Sequence, residues 1–497
     1  MEFDRRAFVR LLSAAMAAPA ASIGAAVQPI SRSHAKSAVT TPKNVVLMIC
    51  DDLGYGDLGC YGSAIKTPNI DAMAADGVRF THHNSAHPIC SASRAALMTG
   101  RYAQRSHTSG AYFPHSKKGM SLEETTLANL FHNQNVKTKA IGKWHLGDAP
   151  DYLPTNRGFD SFFGVPYSDD MQPLPLMRDA QILEEDANRD LLTSQYTKEA
   201  TDFIDRDGSE PFFLYLAYSY PHDPARASQR FRGRSGLGDY GDSVQEIDWS
   251  VGEIAKALKR KAVFSDTLML FTSDHGPWYQ GNPGLLRGRK SSTFEGGFRV
   301  PFVARWPAAL EKGRVVNQWT SHLDVVPTLS ALCKLGDSPN PLDGLNISGT
   351  LLDGRKTPDR KAVLYFTPGS SHGNDLHCAR KGDWKLRVAQ LDGEIYINDW
   401  TDGKTSFWLA RPELYNVRVD ASESYDLAKD HPQLVQDILD DATAQIVTFS
   451  EDVTQAFSQL KQNVARITTP PGGAPRPNNH KPLPAWAWEP MDRRGSS

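Results

Sequence analysis

A chain of 497 residues with 40% hydrophobic and 23% charged side chains has the composition of an ordinary globular protein and is long enough for two domains. A formal net charge of −2 excludes a global electrostatic bias toward nucleic acid or anionic membranes, and no apolar run after the leader is long enough to span a bilayer. Five cysteines without a C-x-x-C pair or zinc-like spacing argue against a disulfide framework and against a cysteine-built metal site.

The N-terminus begins Asp4-Arg5-Arg6-Ala7-Phe8-Val9-Arg10 and continues into an alanine-rich, weakly apolar stretch with small-residue sites ending at Ala26 or Ala35. This reads as an export signal, and the paired arginines with Phe8 two positions on point to the twin-arginine machinery. Residues 1–38 are therefore assigned to a leader, and the expected destination is periplasmic or extracellular.

Asn44 to Cys50 is a continuous apolar run, the pattern of a central strand covered on both faces, and it ends on the pair Asp51-Asp52. Thr67-Pro68 opens a helix that closes at Gly77, and Val78 to Thr81 follows as a strand. Leu127 to Phe131 reads as a helix and Lys137 to Ile141 as a strand leading into Gly142-Lys143-Trp144-His145-Leu146-Gly147. The run Pro211 to Ala217 ends near His222. Ile247, Val251, Ile254, Ala255 and Leu258 mark one face of an amphipathic helix. Thr267 to Thr272 forms a strand that ends at Asp274-His275. Strand, polar cluster and helix alternate throughout, which predicts a largely parallel, doubly wound α/β sheet over residues 39–356. After Gly354 the pattern shifts to short strands (Ala362 to Phe366, Trp384 to Val388, Glu394 to Ile397) and a helix from Leu434 to Phe449. This predicts a smaller α+β domain over 357–467, followed by a Pro/Gly-rich tail over 468–497.

Between these elements lies His87-Pro-Ile-Cys-Ser-Ala-Ser-Arg-Ala-Ala-Leu-Met-Thr-Gly-Arg101. Ser91 or Ser93 can cap a helix that Gly100 ends, which puts Cys90 at the positive end of a helix dipole with Arg94 one turn in. A cysteine so placed is reactive more often than structural.

In an open α/β sheet, ligands sit at the carboxyl ends of strands, so the polar clusters there form one composite site. Two adjacent carboxylates at a buried strand end call for a cation. Asp51, Asp52 and Asp274 offer oxygen ligands and His275 a nitrogen, a set suited to Ca²⁺, with Mg²⁺ as the alternative. Arg94, Lys143, His145, His222 and Lys290 add positive or proton-transferring groups, the arrangement expected for holding a tetrahedral oxyanion under attack.

The Cys90 stretch resembles the signature of type I sulfatases, Cys-x-Pro-Ser-Arg-x-x-x-Leu-Thr-Gly. Cys90, Ser93, Arg94, Thr99 and Gly100 match, while Ala92 replaces the proline and Met98 the leucine. The other blocks of arylsulfatase A-like members of the alkaline phosphatase superfamily follow in order: Asp51-Asp52, Lys143-Trp-His145, His222 after Phe-Phe-Leu-Tyr, Asp274-His275, and Lys290 before Glu295-Gly-Gly-Phe-Arg-Val-Pro301. Pro166-Tyr167-Ser168-Asp169 resembles the segment that supplies a sulfate-contacting serine. Leu414-Tyr-Asn and Glu423-Ser-Tyr-Asp-Leu-Ala428 resemble the C-terminal strand and turn. The similarity spans about residues 44 to 430.

The resemblance implies an alkaline-phosphatase-like α/β/α sandwich with a smaller C-terminal domain, and a sulfuric ester hydrolase. It implies that Cys90 is oxidised to formylglycine, whose hydrate binds the metal and attacks sulfur. Asp51, Asp52, Asp274 and His275 would hold the cation beside that residue. Arg94 and Lys143 would stabilise the hydrate, and Ser168, Lys143, His222 and Lys290 would contact the sulfate. His222 and Lys290 would protonate the leaving oxygen, and His145 would take the proton that lets the sulfate go. Alanine at 92 suits a radical formylglycine maturase better than the oxygen-dependent enzyme. The implied substrate is a sulfated small molecule or glycan. Arg226, Arg230, Arg232 and Arg234 fit either a solvated basic loop or a polyanion-binding one. Two rivals stay open: a phosphonate or phosphate ester hydrolase of the same superfamily, and a binding protein that keeps Cys90 unmodified.

Overall fold

Every residue of the first strand, β1 (Asn44–Cys50), is buried. Its side chains alternate between two cores, Val46, Met48 and Cys50 entering one and Val45, Leu47 and Ile49 the other. The period of two along a strand covered on both faces produces this split. The computed structural model describes residues 41–367, 373–391 and 405–464.

The remaining strands are β2 (Val78–Phe80), β3 (His83–Asn84), β4 (Lys137–Lys143), β5 (Ser161–Val165), β6 (Leu176–Arg178), β7 (Gln181–Glu184), β8 (Phe212–Ala217), β9 (Thr267–Ser273), β10 (Phe302–Arg305), β11 (Arg314–Val316), β12 (Thr320–Ser321), β13 (Val363–Phe366), β14 (Leu376–Lys381), β15 (Trp384–Leu391) and β16 (Ser406–Asn416). Ten of them form one sheet in the order β11-β2-β10-β9-β1-β8-β4-β5-β6-β7. The five central strands, β9-β1-β8-β4-β5, are all parallel. Toward the edges β10, β6 and β7 run antiparallel to their neighbours. The largely parallel sheet expected from the alternation is thus parallel at its centre and mixed outside it. For β6 and β7 the physical reason is connection length: they are separated by a turn around Asp179, and a turn that short permits only a hairpin.

Helices Leu192–Asp207 and Gly238–Arg260 cover one face, where Tyr196, Phe203, Ile247, Val251, Ile254 and Leu258 meet Leu214, Leu216 and Phe271. Helices Cys90–Thr99, Leu127–His132 and Val325–Cys333 cover the other. All ten residues of Cys90–Thr99 are buried, so this helix is held from every side.

The expected serine cap of that helix is not what forms. The N-cap is Ile89, and Cys90 is the first helical residue. Both hydroxyls are committed elsewhere: Ser91 Oγ accepts from the Tyr112 N–H (3.1 Å), and Ser93 Oγ donates to the Asp274 carbonyl. Gly100 ends the helix as expected, at φ 68°, with its N–H on the Ala96 carbonyl.

Strands β13-β14-β15-β16 form a separate antiparallel sheet. Helices Pro432–Ile446 and Glu451–Gln462 complete its core. That core also takes in Ala96, Tyr102, Phe298 and Trp319, so the small sheet packs against the back of the Cys90 helix. A buried ion network crosses the same junction, with Glu295 receiving Arg299 (2.6 Å), Arg380 (2.9 Å) and Lys385 (3.4 Å). The expected leader, the strand Glu394 to Ile397 and the tail lie outside the described residues.

Candidate active site

The carboxyl ends of four adjacent parallel strands, β9, β1, β8 and β4, open on one cleft. β1 delivers Asp51 and Asp52, β9 delivers Asp274 and His275, and β4 ends at Lys143, two residues before His145. The chain after β8 brings in His222. The helix Cys90–Thr99 points its N-terminus into this cleft. Lys290 enters from the loop after β9, and Ser168 from the loop after β5.

Three buried ion pairs surround Cys90. Arg94 binds Asp274 through Nε and Nη2, both 3.1 Å from Oδ2, and its Nη2 lies 3.5 Å from Asp51 Oδ1. Lys143 Nζ sits 2.5 Å from Asp51 Oδ2 and 2.9 Å from Ser168 Oγ. Lys290 Nζ bridges both oxygens of Asp52 at 2.8 and 2.9 Å. Desolvating three such pairs is costly and does not by itself stabilise a fold, so their concentration at one cleft marks a site. Asp52 and His145 both hold left-handed backbone, at φ 63° and 59°, and so does Ser291 beside Lys290, at 71°. Non-glycine residues adopt that region at a cost that clusters where function demands it.

The charges tune one another. Burial raises the Cys90 thiol, but Lys143 and Lys290 outweigh it and leave the thiol below its ordinary value. Burial also raises Asp51, yet Lys143 holds its carboxyl well below the usual range. For Asp52 burial prevails over Lys290 and pushes the carboxyl up to about 7. Burial would lower His275, but Asp274 and Cys90 bring it up to about 9. His145 falls well below its ordinary value, first through burial and then through Lys143 and Arg94.

Hydrogen bonds assign directions to the imidazoles. His275 Nδ1 donates to the Gly276 carbonyl (2.9 Å), which directs Nε2 at Cys90 Sγ, 3.3 Å away. His145 Nε2 donates to the Tyr112 carbonyl (2.9 Å), leaving Nδ1 buried and without a hydrogen-bond partner among the described residues. His222 Nε2 approaches Ser168 Oγ (3.4 Å) and Asp52 Oδ2 (3.8 Å).

The donor set fits a divalent cation. Ligand atoms of Asp51, Cys90, Asp274 and His275 all lie within 4.8 Å of one another, and Asp51 Oδ1 is buried with no hydrogen-bond donor among the described residues. A backbone carbonyl that fixes one ring nitrogen so that the other can ligate is the usual outer-shell arrangement around metal-bound histidine. Asp52 groups instead with Cys90 and His222, although its Oδ1 is 3.5 Å from His275 Nε2. It therefore stands on the Lys290 side of the cluster.

All eleven residues singled out in the sequence converge on this cleft. One that was passed over also belongs to it: Asp169, buried beside Ser168, lies 3.3 Å from His222 Nδ1. The local signal was its place next to Ser168 in a motif already recognised, but the partner is remote in sequence. The basic loop is different. Arg226 and Arg232 share the Asp190 carboxylate (3.5 and 2.7 Å), and Arg230 stacks 4.6 Å from the Trp249 ring centre.

The profile of the family described as Sulfatase matches residues 43–335, which contain every one of these groups. The chain belongs to the sulfatase family. As a sulfatase it is 33% identical to human (Homo sapiens) arylsulfatase A over 88% of this chain and 95% of that protein. It is 40% identical to human N-acetylgalactosamine-6-sulfatase, over 70% of this chain and 72% of that one. The structure of Ps i-CgsB in complex with k-i-k-neocarrahexaose superposes with a TM-score of 0.71 and 30% identity, covering 82% of this chain and 93% of the other. The sulfatase fold, the cleft at the strand ends and the activity of a sulfuric ester hydrolase go together in this chain.

Proposed function

We propose that this sulfatase removes sulfate from a carbohydrate, with Cys90 oxidised to formylglycine and Ca²⁺, rather than Mg²⁺, held by Asp51, Asp52, Asp274 and His275. The observation that carries the reading is the position of Cys90, at the first turn of a wholly buried helix and among three cation–carboxylate pairs. The carbohydrate assignment draws on the relative named for N-acetylgalactosamine 6-sulfate and on the neocarrahexaose complex.

When bound, the cation supplies Lewis acidity toward a sulfate oxygen, and the aldehyde hydrate at position 90 supplies one hydroxyl for attack and a second for release. The chain's own residues do the rest. Lys143, Ser168, His222 and Lys290 bind and orient the sulfate oxygens, and Lys143 and Arg94 offset negative charge around residue 90. His222 Nε2 or Lys290 Nζ donates the proton that the leaving oxygen needs. His145 Nδ1, buried and without a hydrogen-bond partner among the described residues, accepts a proton from the hydroxyl at residue 90.

The twin-arginine leader supports export of an enzyme that is folded and matured before it leaves the cytoplasm. Ala92 supports maturation by a radical enzyme, and full conversion by a purified oxygen-dependent maturase alone would count against that part. The function is tested by kcat/KM on matched aryl and sugar sulfate and phosphate monoesters, using protein produced with a maturase. Sulfate esters should be favoured. A preference for phosphate would move the assignment to the phosphate and phosphonate hydrolases of the superfamily.

A further inference from the structure

The loop that carries Lys290 also encloses a cavity of about 530 Å³, lined by Trp278, Tyr279, Leu286, Arg287, Arg289 and Phe294. Lys290 forms part of the same wall while its Nζ holds Asp52 inside the cleft. On the other side, the Gln280 amide bonds the carboxylate of Asp223, which follows His222 directly. The cavity therefore adjoins the two residues assigned to the leaving oxygen. Its volume is that of a small-molecule pocket and exceeds the needs of a sulfate group.

Its chemistry is specific. Two guanidiniums stand among aromatic side chains, and Tyr279 is 45% exposed. Arg287 Nη1 donates to the Glu423 carbonyl (3.1 Å), and its guanidinium lies 3.8 Å from the Phe294 ring centre. Arg289 Nη1 donates to the carbonyls of Trp278 (2.9 Å) and Gly281. Among the described residues neither guanidinium has a carboxylate within ion-pair distance, whereas Arg226 and Arg232 share Asp190. The two charges are thus held in place by carbonyls and rings with no carboxylate in contact, which leaves them able to receive an anion. The exposed Tyr279 ring, with the half-buried Trp278 beside it, presents apolar surface to the C–H face of a pyranose.

We propose that this cavity is a subsite for the neighbouring unit of the substrate chain, and that this unit bears a second anionic group, sulfate or carboxylate, held by Arg287 and Arg289. The assignment rests on reading the cleft as that of a carbohydrate sulfatase. Lys290 gives it a direct link to the sulfate being cut, so one loop reads both groups.

The test compares the wild type with Arg287→Gln and Tyr279→Ala on four substrates: a small aryl sulfate, and sulfated oligosaccharides whose neighbouring unit is sulfated, carboxylated or neutral. The readout is kcat/KM on each oligosaccharide divided by kcat/KM on the aryl sulfate. Arg287→Gln should lower this ratio about tenfold for an oligosaccharide with an anionic neighbour and leave it unchanged for the neutral one. Whether the loss appears with sulfate or carboxylate identifies the group. Tyr279→Ala should lower the ratio for all three oligosaccharides. Unchanged ratios in both variants would overturn the subsite alone. Failure of the wild type to turn over any sulfate ester would overturn the reading of the cleft as well.

Discussion

His222 Nδ1 and Asp169 Oδ1 lie 3.3 Å apart, and neither atom has a hydrogen-bond partner elsewhere among the described residues. Burial drives both toward neutrality, His222 well below and Asp169 well above their ordinary values. A carboxyl behind Nδ1 fixes the ring with Nε2 toward Ser168, and it stabilises the imidazolium whenever an anion approaches that side. Asp169→Asn keeps the shape but removes the acid, so no carboxylate can form behind the ring when the imidazolium does. It should lower kcat about 10²-fold on a sugar sulfate, whose alkoxide needs a proton, and much less on an aryl sulfate with a good leaving group. Equal losses on both would mean that Asp169 only maintains local structure.

Calcium should stabilise the protein by mass action, by about 2.7 kcal/mol at a hundredfold excess over Kd, read as a rise in Tm during titration of chelator-treated enzyme. Asp274 offers its carboxylate to the donor cluster and also anchors Arg94. Asp274→Asn should therefore lower Tm in the absence of calcium and also abolish the calcium-dependent rise. The second effect is the diagnostic one. A rise of wild-type size in the variant would remove Asp274 from the ligand set.

Glu295 is the common acceptor for Arg299, Arg380 and Lys385 at the junction with the small sheet, and these cations hold it well below its ordinary range despite burial. Glu295→Gln leaves the buried Arg299 and Arg380 short of a counter-charge, while Lys385 keeps Glu423 at 3.2 Å. The expected loss is about 3–5 kcal/mol, measured from denaturant midpoints. A change under about 1 kcal/mol would show that water or neighbouring groups replace the carboxylate.

Asp248 caps the helix Pro68–Ala75 from a distance, accepting from the N–H groups of Asn69 (2.9 Å) and Ile70 (2.8 Å). Burial outweighs those bonds and raises its carboxyl to about 6. A raised folded-state value means that its contribution to stability is full below the unfolded value and is lost as pH rises through about 6. The loss is on the order of 3 kcal/mol for a shift of this size. Asp248→Asn should flatten the decline in Tm between about pH 4 and 6.5 relative to wild type. Parallel profiles would contradict the raised value.

The parts of the molecule that can be read along the chain are those in which one short segment carries both structure and chemistry. β1 announces itself as an apolar run and presents Asp51 and Asp52 where it stops; β9 does the same with Asp274 and His275. Residues from four strand ends were therefore recognisable before their distances were known. Contacts between segments are not written locally. Ser91 and Ser93 look like helix caps, but their hydroxyls serve Tyr112 and Asp274, and Ile89 caps the helix. Asp169 acquires its meaning from His222, and Glu295 from Arg380 in the small sheet. The basic loop looked like one unit, yet Arg226 and Arg232 share Asp190 while Arg230 lies against Trp249. The antiparallel β6-β7 hairpin at one edge of the sheet follows from its turn length, which the alternation of strands and helices does not reveal.

Peptide mass spectrometry across Cys90, on enzyme that turns over an aryl sulfate, tests the central claim most directly. The expected peptide has lost the thiol and carries an aldehyde that reacts with hydrazide. An intact thiol at Cys90 in fully active protein would contradict the formylglycine nucleophile and require another group in the cleft to attack sulfur.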